Sequence, residues 1–425
     1  MLYVRGMIST RQRFSEREAR RWLRGASVNI ELFAEEPMKI YTSARAGQAL
    51  SLETLRQELG QVLHYADTHL PALTRAPDAV YLLDPPLKRR LLPCAQGFPW
   101  GVFVDASSIT YSPDPTRFHL AVRRAFADAM LSDALHDSPF AAGLVEVLAR
   151  AGDDTLVAEV VGLSDNGLVR PQMSLWDHAL AAGSFVQFLT ERFGWDLWRQ
   201  VDELLPKRTK GIRGVAVLEP EASWLLGEVC GTPNTRLQVD WWGWIRQRGD
   251  EIDVRTRLQQ ASRQFIREAY SAGLLTACQG ECERYLAEYG RESEITFYLA
   301  ACDAHLRRYA DAVERLSGTA DDMVPLQRAW AYLRLGQLYD LMEARETALR
   351  WYEKIGEVSD PWGIILSYAE SFVQQPYLPF DERVQGDPWL HFSHWLSRGG
   401  EATRASLGIS GRRSSSVLVV GYSMS

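Results

Sequence analysis

The sequence lacks several features that would assign it to a common class of protein. Its 425 residues include only five cysteines, an odd number without a Cys-x-x-Cys pair, which favours buried free thiols and a reducing compartment. No apolar stretch approaches the roughly 20 residues that span a bilayer, and the amino terminus lacks the apolar core of a signal peptide. A Gly-x-x-x-x-Gly-Lys phosphate loop and a Gly-x-Ser-x-Gly nucleophile elbow are also missing. We therefore expect a cytoplasmic protein without an integral membrane segment.

An excess of positive charge is missing as well. The net charge is −7, so no basic field attracts nucleic acid, and we expect no nucleic-acid partner. Arginines are concentrated only in residues 11–24, where Glu16, Glu18 and Trp22 accompany them. A solvated amphipathic helix is the simplest interpretation of this segment, and a membrane-surface or nucleic-acid arm is the alternative. Hydrophobic residues make up 46% of the chain, enough for the cores of two or three domains.

Local patterns predict strands and helices in the first part of the chain and helices after it. Short apolar runs predict strands within 28–41 and at 79–83, 101–105 and 109–111. Ser51 is expected to cap a helix that Pro71 ends. Caps and hydrophobic periodicity predict further helices at 116–135, 139–150, 174–192, 195–204, 220–229 and 236–248. Residues 206–214 are predicted to be a connector, and 250–253 a domain boundary.

Three segments of this region resemble the gluzincin-like (peptidase MA-like) zinc-peptidase superfamily. Residues 100–104 and 109–111 precede a helix, as the edge strands precede the zinc helix in that family. Residues 138–148 are similar to the next helix of the family, and 181–194 to the one downstream; a fainter match covers 237–244. The resemblance implies a zincin-like domain with a small sheet plus helices over about half of the chain.

The metal ligands that this resemblance implies are missing. No His-Glu-x-x-His occurs anywhere, and both candidate registers of the zinc helix, 121–125 and 126–130, lack imidazoles. The resemblance puts the third ligand at Ala142, which has no ligand atom, whereas Glu146 persists at a position that is usually structural. A hydrolytic zinc site needs neutral imidazoles, a carboxylate ligand and a general base. We therefore expect a degenerate domain that holds no metal or other cofactor and has no catalytic residues.

Residues 255–358 show internal similarity with a period near 34, which predicts stacked helical hairpins. Small residues recur where paired helices would touch, at Cys278, Ala312 and Ala348. The pattern of Tyr332, Leu335, Gly336, Tyr339, Ala348 and Tyr352 resembles tetratricopeptide (TPR) repeats. That family implies a protein or peptide partner bound on the concave face of the array. The candidate partner groove consists of Glu294, Phe297, Trp330, Leu333, Gln337 and Asp340.

Together these features predict an α+β fold that is mostly helical, with a zincin-like domain followed by an α-helical, TPR-like repeat domain. The expected parts are an amino-terminal helical extension (1–27), a degenerate gluzincin-like domain (28–250), TPR-like repeats with a cap (251–398) and a flexible tail (399–425). The predicted function is that of a non-catalytic pseudo-metallopeptidase that acts as a protein-interaction or scaffold protein. Its oligomeric state is left open.

Two alternatives are kept. In the first, the chain is a divergent hydrolase with a non-standard metal site built from His119, Asp128, His136 or Glu146. In the second, the whole chain is a helical-repeat binding protein, which predicts no β-sheet in residues 28–112.

Overall fold

The computed structural model describes most of the chain up to residue 378. The described residues are 17, 20, 21, 23, 24, 30–43, 51–83, 95–98, 100–106, 115–136, 138–153, 155–165, 178–208, 215–358, 360 and 363–378. Contacts divide the chain into two units, Met1–Tyr377 and Leu378–Ser425, and all helices and strands given below belong to the first unit. The predicted strand at 109–111 and the aromatic residues Trp389, Phe392 and Trp395 lie outside the described residues.

A five-stranded mixed sheet forms the start of the fold. Its strands are β1 (Ile30–Ala34), β2 (Lys39–Ser43), β3 (Ala79–Leu83), β4 (Ala95–Phe98) and β5 (Gly101–Asp105). They lie in the order β1-β2-β3-β5-β4, with parallel pairing of β2 to β3 and of β3 to β5, and antiparallel pairing at both edges. This sheet contradicts the purely helical alternative, because strands cover much of residues 28–112.

The two faces of the sheet bury different side chains. One face carries aliphatic residues that belong to the main core, including Ile40, Val80, Leu82, Val102 and Val104. The opposite face is aromatic, and its rings form a continuous set of contacts across the strands: Tyr41, Tyr81, Phe98, Trp100 and Phe103. Alternation along each strand produces this division, since successive side chains of a strand point to opposite faces.

Helices follow and surround the sheet. Between β2 and β3 lies α1 (Leu52–His69), which begins after Ser51 as predicted, although the Ser51 side chain makes no capping hydrogen bond. After β5 come α2 (Pro115–Met130), α3 (Asp133–His136), α4 (Ala141–Ala149), α5 (Thr155–Asp165), α6 (Ala179–Phe193), α7 (Asp196–Arg208), α8 (Val215–Val229) and α9 (Asn234–Glu251). Trp198, Trp241 and Trp242 are buried among these helices and give the core much of its apolar volume.

Helical hairpins make up the rest of the unit. The pairs are α10 (Val254–Ala272) with α11 (Leu275–Tyr289), α12 (Ser293–His305) with α13 (Tyr309–Ser317), and α14 (Pro325–Leu341) with α15 (Arg345–Lys354), followed by α16 (Ile364–Gln374). The small residues predicted at the helix contacts, Cys278, Ala312 and Ala348, are fully buried. Cys278, Cys282 and Cys302 are buried free thiols, as expected, and Cys230 is a half-buried one.

A close helix crossing joins the hairpins to the preceding helices. A Cβ atom on Gly162 of α5 would lie 2.8 Å from Cα of Ala261 in α10, so only glycine fits there. The predicted boundary at 250–253 coincides with the break between α9 and α10, where Asp253 accepts a hydrogen bond from the Thr256 amide at 3.0 Å. The hairpins therefore begin at the predicted place and pack directly against the helices that precede them.

Several elements differ from the sequence prediction. The sequence did not predict β4 or α5, and Pro206, assigned to a connector, lies in the last turn of α7. β4 is short and contains Gly97, which gives it little strand character. α5 is short and mostly apolar, with Glu159 as its one charged residue before the last position, so its amphipathic period is weak. None of the helices in the described part of the chain combines the length and the apolar character needed to cross a bilayer.

Candidate functional site

Helix α2 is the element that the resemblance compares with a zinc helix, and three neighbours surround it. On one side, a Cβ atom on Gly97 of β4 would lie only 2.2 Å from the Ala125 carbonyl oxygen, so the edge strand packs directly on the helix backbone. On a second side, His119 Nδ1 lies 3.2 Å from the Glu58 carboxylate of α1. On the third side, Arg124 meets Glu146 of α4. The cleft between α2 and α4 is the candidate site.

A buried carboxylate is at the centre of this cleft. Arg124 donates from Nη2 to Glu146 at 2.8 Å, and its Nε lies 2.8 Å from the other carboxylate oxygen. Arg150 approaches the same carboxylate from one turn further along α4, at 3.5 Å. The side chains of Glu146 and Arg150 are each only 4% exposed, whereas that of Arg124 is 36% exposed. Two guanidinium groups thus neutralise one buried acid from opposite sides.

The ion pairs continue from the cleft toward the hairpins. Arg150 donates to the Glu159 carboxylate of α5 at 2.9 Å and to the Thr155 hydroxyl at 2.8 Å. On α10, Arg267 is bonded to Glu294 of α12 at 2.8 Å. Burial lowers the pKa of Arg267, but the bond to Glu294 outweighs it, and the pKa lies above its ordinary value. The cleft and the first two hairpins therefore share one band of paired charges.

Small residues bring α4 close enough to its neighbours to bury Glu146. A Cβ atom on Gly143 would lie 2.7 Å from the Ala182 carbonyl oxygen of α6, and one on Gly183 would lie 2.7 Å from Cβ of Glu146. The two Ala-Ala-Gly sequences, at 141–143 and 181–183, thus form a reciprocal helix crossing. Ala142 lies one turn before Glu146 on the same side of α4, so its methyl group belongs to the face that carries the Arg124 contact.

The face of α2 that meets α4 carries Arg124. Arg124 contacts Glu146, and Asp128, four residues later, lies on the same half-exposed side of the helix. An His-Glu-x-x-His motif places its two imidazoles at this i, i+4 spacing. Arg124 and Asp128 have the same spacing but offer no imidazole.

Of the residues of the divergent-hydrolase alternative, the structure pairs Asp128 with His136 but places His119 against Glu58 and Glu146 against Arg124. His119 and Asp128 are nine positions apart, about two and a half turns, so they project from opposite sides of α2. His119 pairs with Glu58, whereas Asp128 lies 3.5 Å from His136. Burial raises the pKa of Glu58, but the His119 hydrogen bond and the charges of His119 and Arg123 outweigh it and lower the pKa below its usual value.

No three side chains of His, Cys, Asp or Glu in the described part of the chain are arranged so that they could hold a metal ion.

The candidate partner groove is buried. All six of its residues are almost inaccessible to solvent: Glu294, Phe297, Trp330, Leu333, Gln337 and Asp340. The expectation that they line an open concave face is therefore incorrect for the folded chain.

Specific partners occupy these groups. Glu294 is held by Arg267, and the Arg334 guanidinium donates to Gln337 at 2.6 Å and lies 4.8 Å from the Trp330 ring. Asp340 accepts hydrogen bonds from the Tyr352 hydroxyl and from the Tyr377 amide, both at 2.8 Å. Beyond these, Tyr368 of α16 lies beside Trp330, with ring centroids 6.3 Å apart. These contacts stabilise the array and leave no groove along these six residues.

The ionic cluster of Arg124, Glu146 and Arg150 could not be predicted from the sequence, because its partners lie far apart in the chain. Arg124 and Glu146 are 22 residues apart, on different helices. One local signal existed: Glu146 and Arg150 have the i, i+4 spacing of a helical ion pair. Because that spacing is common on exposed helices, it did not indicate burial.

Comparisons with known proteins found no match to this chain. No family model matches the chain, and no curated protein or solved structure matches it significantly.

Proposed function

We propose that this chain is a non-catalytic relative of the gluzincin-like peptidases, joined to TPR-like repeats, and that it acts as a protein-interaction scaffold. The observation that carries the proposal is the Arg124–Glu146 ion pair in the cleft between α2 and α4. There a permanent cation faces a buried carboxylate where the resemblance implies a metal ion.

The order of the elements supports the ancestry. The β4–β5 hairpin precedes α2, and α4 and α6 follow it and pack on each other, in the order of the three resembling segments. Ala142 and Glu146 lie on one side of α4, and Glu146 reaches α2. A zinc site of this class uses residues of two neighbouring helices in such an arrangement.

The chemistry of the cleft supports the loss of catalysis. A guanidinium group stays protonated in proteins and offers no lone pair to a metal ion. Hydrolysis by a zinc enzyme needs a bound water whose pKa the metal lowers, and a base to accept its proton. The cleft side of α2 and α4 offers Arg124, Asp128, Ala142 and a Glu146 already engaged by arginine. This set can hold two helices together electrostatically but cannot activate water in that way.

The hairpins support a role in interaction. Three stacked helical pairs with small residues at their contacts form a rigid array. Since the predicted inner residues are buried, partner binding is assigned to the exposed surface of the chain.

Metal content and a restored site test the proposal together. We expect the purified wild-type chain to contain far less than one zinc ion per molecule and to cleave no casein-derived peptides. The variant Arg124→His, Asp128→His, Ala142→Glu should bind zinc, because it puts two imidazoles and a carboxylate on the facing sides of α2 and α4. Glu146 would then be available to orient an imidazole by a hydrogen bond.

A matched variant controls for the size of these substitutions. Arg124→Gln, Asp128→Asn, Ala142→Gln has similar side chains without the same ligand capacity, and it should bind no zinc by isothermal titration calorimetry. Stoichiometric zinc and peptidase activity in the wild-type chain would overturn the non-catalytic assignment. If both variants fold but neither binds zinc, the inferred ancestry of the cleft is wrong.

A further inference from the structure

We propose that the outer edge of β1 is a docking site for an extended segment of a protein partner, in which apolar residues alternate with lysine or arginine. The partner segment would add a strand to the sheet. This inference concerns a surface far along the sheet from α2 and α4, and it does not depend on whether the cleft has lost a metal.

The position of β1 provides the backbone groups for such docking. β1 is the last strand of the sheet and pairs only with β2 among the described strands. An edge strand presents N–H and C=O groups that can pair with another chain, and proteins protect such edges with charged side chains (lysine above all), proline, β-bulges or a covering element. Ile30–Ala34 contains neither lysine nor proline. The outer side of β1 therefore offers backbone donors and acceptors that an added strand can pair with.

Apolar side chains accompany these backbone groups. Leu32 is 44% exposed and Phe33 41% exposed, which is unusual for large hydrophobic residues on neighbouring positions. Leu32 pairs with Tyr41, whose ring stacks on that of Tyr81 with centroids 5.3 Å apart, so Leu32 is at the exposed end of the aromatic face. An added strand would place its own apolar side chains beside Leu32 and extend that face.

A β-bulge explains the exposure of Phe33. The register of β1 on β2 changes between Leu32, opposite Tyr41, and Ala34, opposite Ile40, which leaves Phe33 as the extra residue. Leu32 thus belongs to the aromatic face, while Ala34 packs against the aliphatic core. Phe33 is left at the solvent edge, where a partner can contact it.

The charges beside the edge determine the chemistry of the partner. Glu31, Glu35 and Glu36 are exposed along the strand and the turn that follows it. Arg56 is engaged there, because it donates to the Glu36 carbonyl oxygen at 3.2 Å and is paired with Glu53. Lysine or arginine at alternate positions of a partner strand would complement the three glutamates.

The same charges disfavour a second copy of the chain as the partner. Antiparallel pairing of two β1 strands about Phe33 would place Glu31 directly opposite Glu35. Parallel pairing in register would place every glutamate beside its own counterpart. Like charges directly opposite each other destabilise a strand pair, so a basic strand is the favoured occupant.

Model peptides and the full chain test the proposal. A fluorescent peptide of alternating valine and lysine should bind, measured by anisotropy at low ionic strength, roughly ten-fold more tightly than a valine–glutamate peptide. A valine–lysine peptide with N-methyl groups on every second amide keeps the charge but loses the ladder hydrogen bonds. It should bind at least about ten-fold more weakly than its unmethylated form.

Charge-reversal variants locate the site. Glu31→Lys with Glu35→Lys should reverse the preference between the two peptides without changing the thermal unfolding midpoint, because both side chains are exposed. The control variant Glu346→Lys with Glu353→Lys changes two exposed glutamates on α15, and it should leave the preference between the two peptides unchanged. The proposal is overturned if the valine–lysine peptide does not bind, if methylation has no effect, or if the two double variants behave alike. A dimer in sedimentation velocity that Phe33→Asp dissociates would assign the edge to a second copy instead, and would also overturn it.

Discussion

At the scale of single residues, the cleft shows how one side chain can change what a helix is able to do. Arg124 has the right position to face α4 but the wrong chemistry to bind a metal ion. Its partner Glu146 is almost fully buried, and Arg150 contacts the same carboxylate. Removing the acid would leave Arg150 inside the protein without this counter-charge.

We therefore predict that Glu146→Ala destabilises the fold strongly, by about 3 kcal/mol or more, as for other buried pairs from which one partner is removed. Arg124→Ala should cost less, because that side chain is partly exposed and screened by solvent. Chemical denaturation of both variants and of the double variant measures the coupling. Additive losses would show that the two side chains do not depend on each other.

A second residue-scale feature is the contact between Gly336 and Tyr352. A Cβ atom on Gly336 would lie 2.2 Å from Cε1 of the tyrosine ring. The ring cannot move away easily, because its hydroxyl donates to the Asp340 carboxylate at 2.8 Å. Burial, together with the charge of Asp340, also raises the pKa of Tyr352, so the hydroxyl remains a donor over the physiological range.

The Gly336→Ala variant should accordingly lose about 1–3 kcal/mol of stability through overpacking. Gly280→Ala is the matched control, since Gly280 lies in α11 with nothing near its missing Cβ atom. That change should be neutral, or stabilising by up to about 1 kcal/mol, because alanine favours the helix. Equal unfolding midpoints for the two variants would contradict the assigned contact.

A buried histidine makes the hairpins sensitive to acid. Burial, aided by the charge of Arg334, lowers the pKa of His305 from 6.5 to about 4. Between those two values the unfolded chain takes up a proton that the folded chain does not, so stability falls as the pH decreases from 6.5 to 4. Above pH 6.5 and below pH 4 this group contributes no further slope.

His305→Gln should therefore flatten the dependence of unfolding free energy on pH within that window. The unfolding free energy of the variant, subtracted from that of the wild type at each pH, isolates the contribution of His305, because the carboxylates titrate in both proteins. Urea denaturation at several pH values measures it.

At the scale of elements, small residues determine which helices can meet. α4 and α6 approach each other through Gly143 and Gly183, which positions Glu146 for α2. We predict that Gly183→Val separates the two helices and lowers the unfolding midpoint, because its side chain would meet Cβ of Glu146 at 2.7 Å or less. Gly243→Ala in α9, where nothing lies within 4 Å of the missing Cβ atom, is the control. Similar midpoints for both would exclude the crossing as a determinant of stability.

At the scale of the whole molecule, contacts assign residues up to Tyr377 to one compact unit. The contact of Gly162 with Ala261 couples α5 to α10, and paired charges extend across the same region. A short helical array with a buried inner surface has little stability of its own and depends on such a neighbour.

This coupling predicts a single cooperative transition. Hydrogen exchange with mass spectrometry should give the same denaturation midpoint for peptides from α4–α6 and from α12–α14 in the wild-type chain. Gly162→Leu should separate the two midpoints, since a side chain there pushes α10 away. Two distinct midpoints in the wild-type chain would show that the predicted domains unfold independently.

The sequence by itself determined the features that depend on near neighbours in the chain. The bounds of β3 and β5, the start of α1 after Ser51 and the small residues Ala312 and Ala348 followed from periodicity and capping. The absence of a histidine pair on α2 also needed no structure. Each of these features depends on a few consecutive residues or on a repeat of fixed length.

Only the tertiary structure decided which faces meet. The face of α2 that meets α4 depends on an ion pair between residues 22 positions apart, and the burial of Trp330 depends on α16, which begins 34 residues later. Likewise, β1 is an edge because four other strands are ordered on one side of it. Pairing between distant segments is set by the sum of many weak packing and electrostatic terms across the whole molecule, and no local pattern encodes that sum.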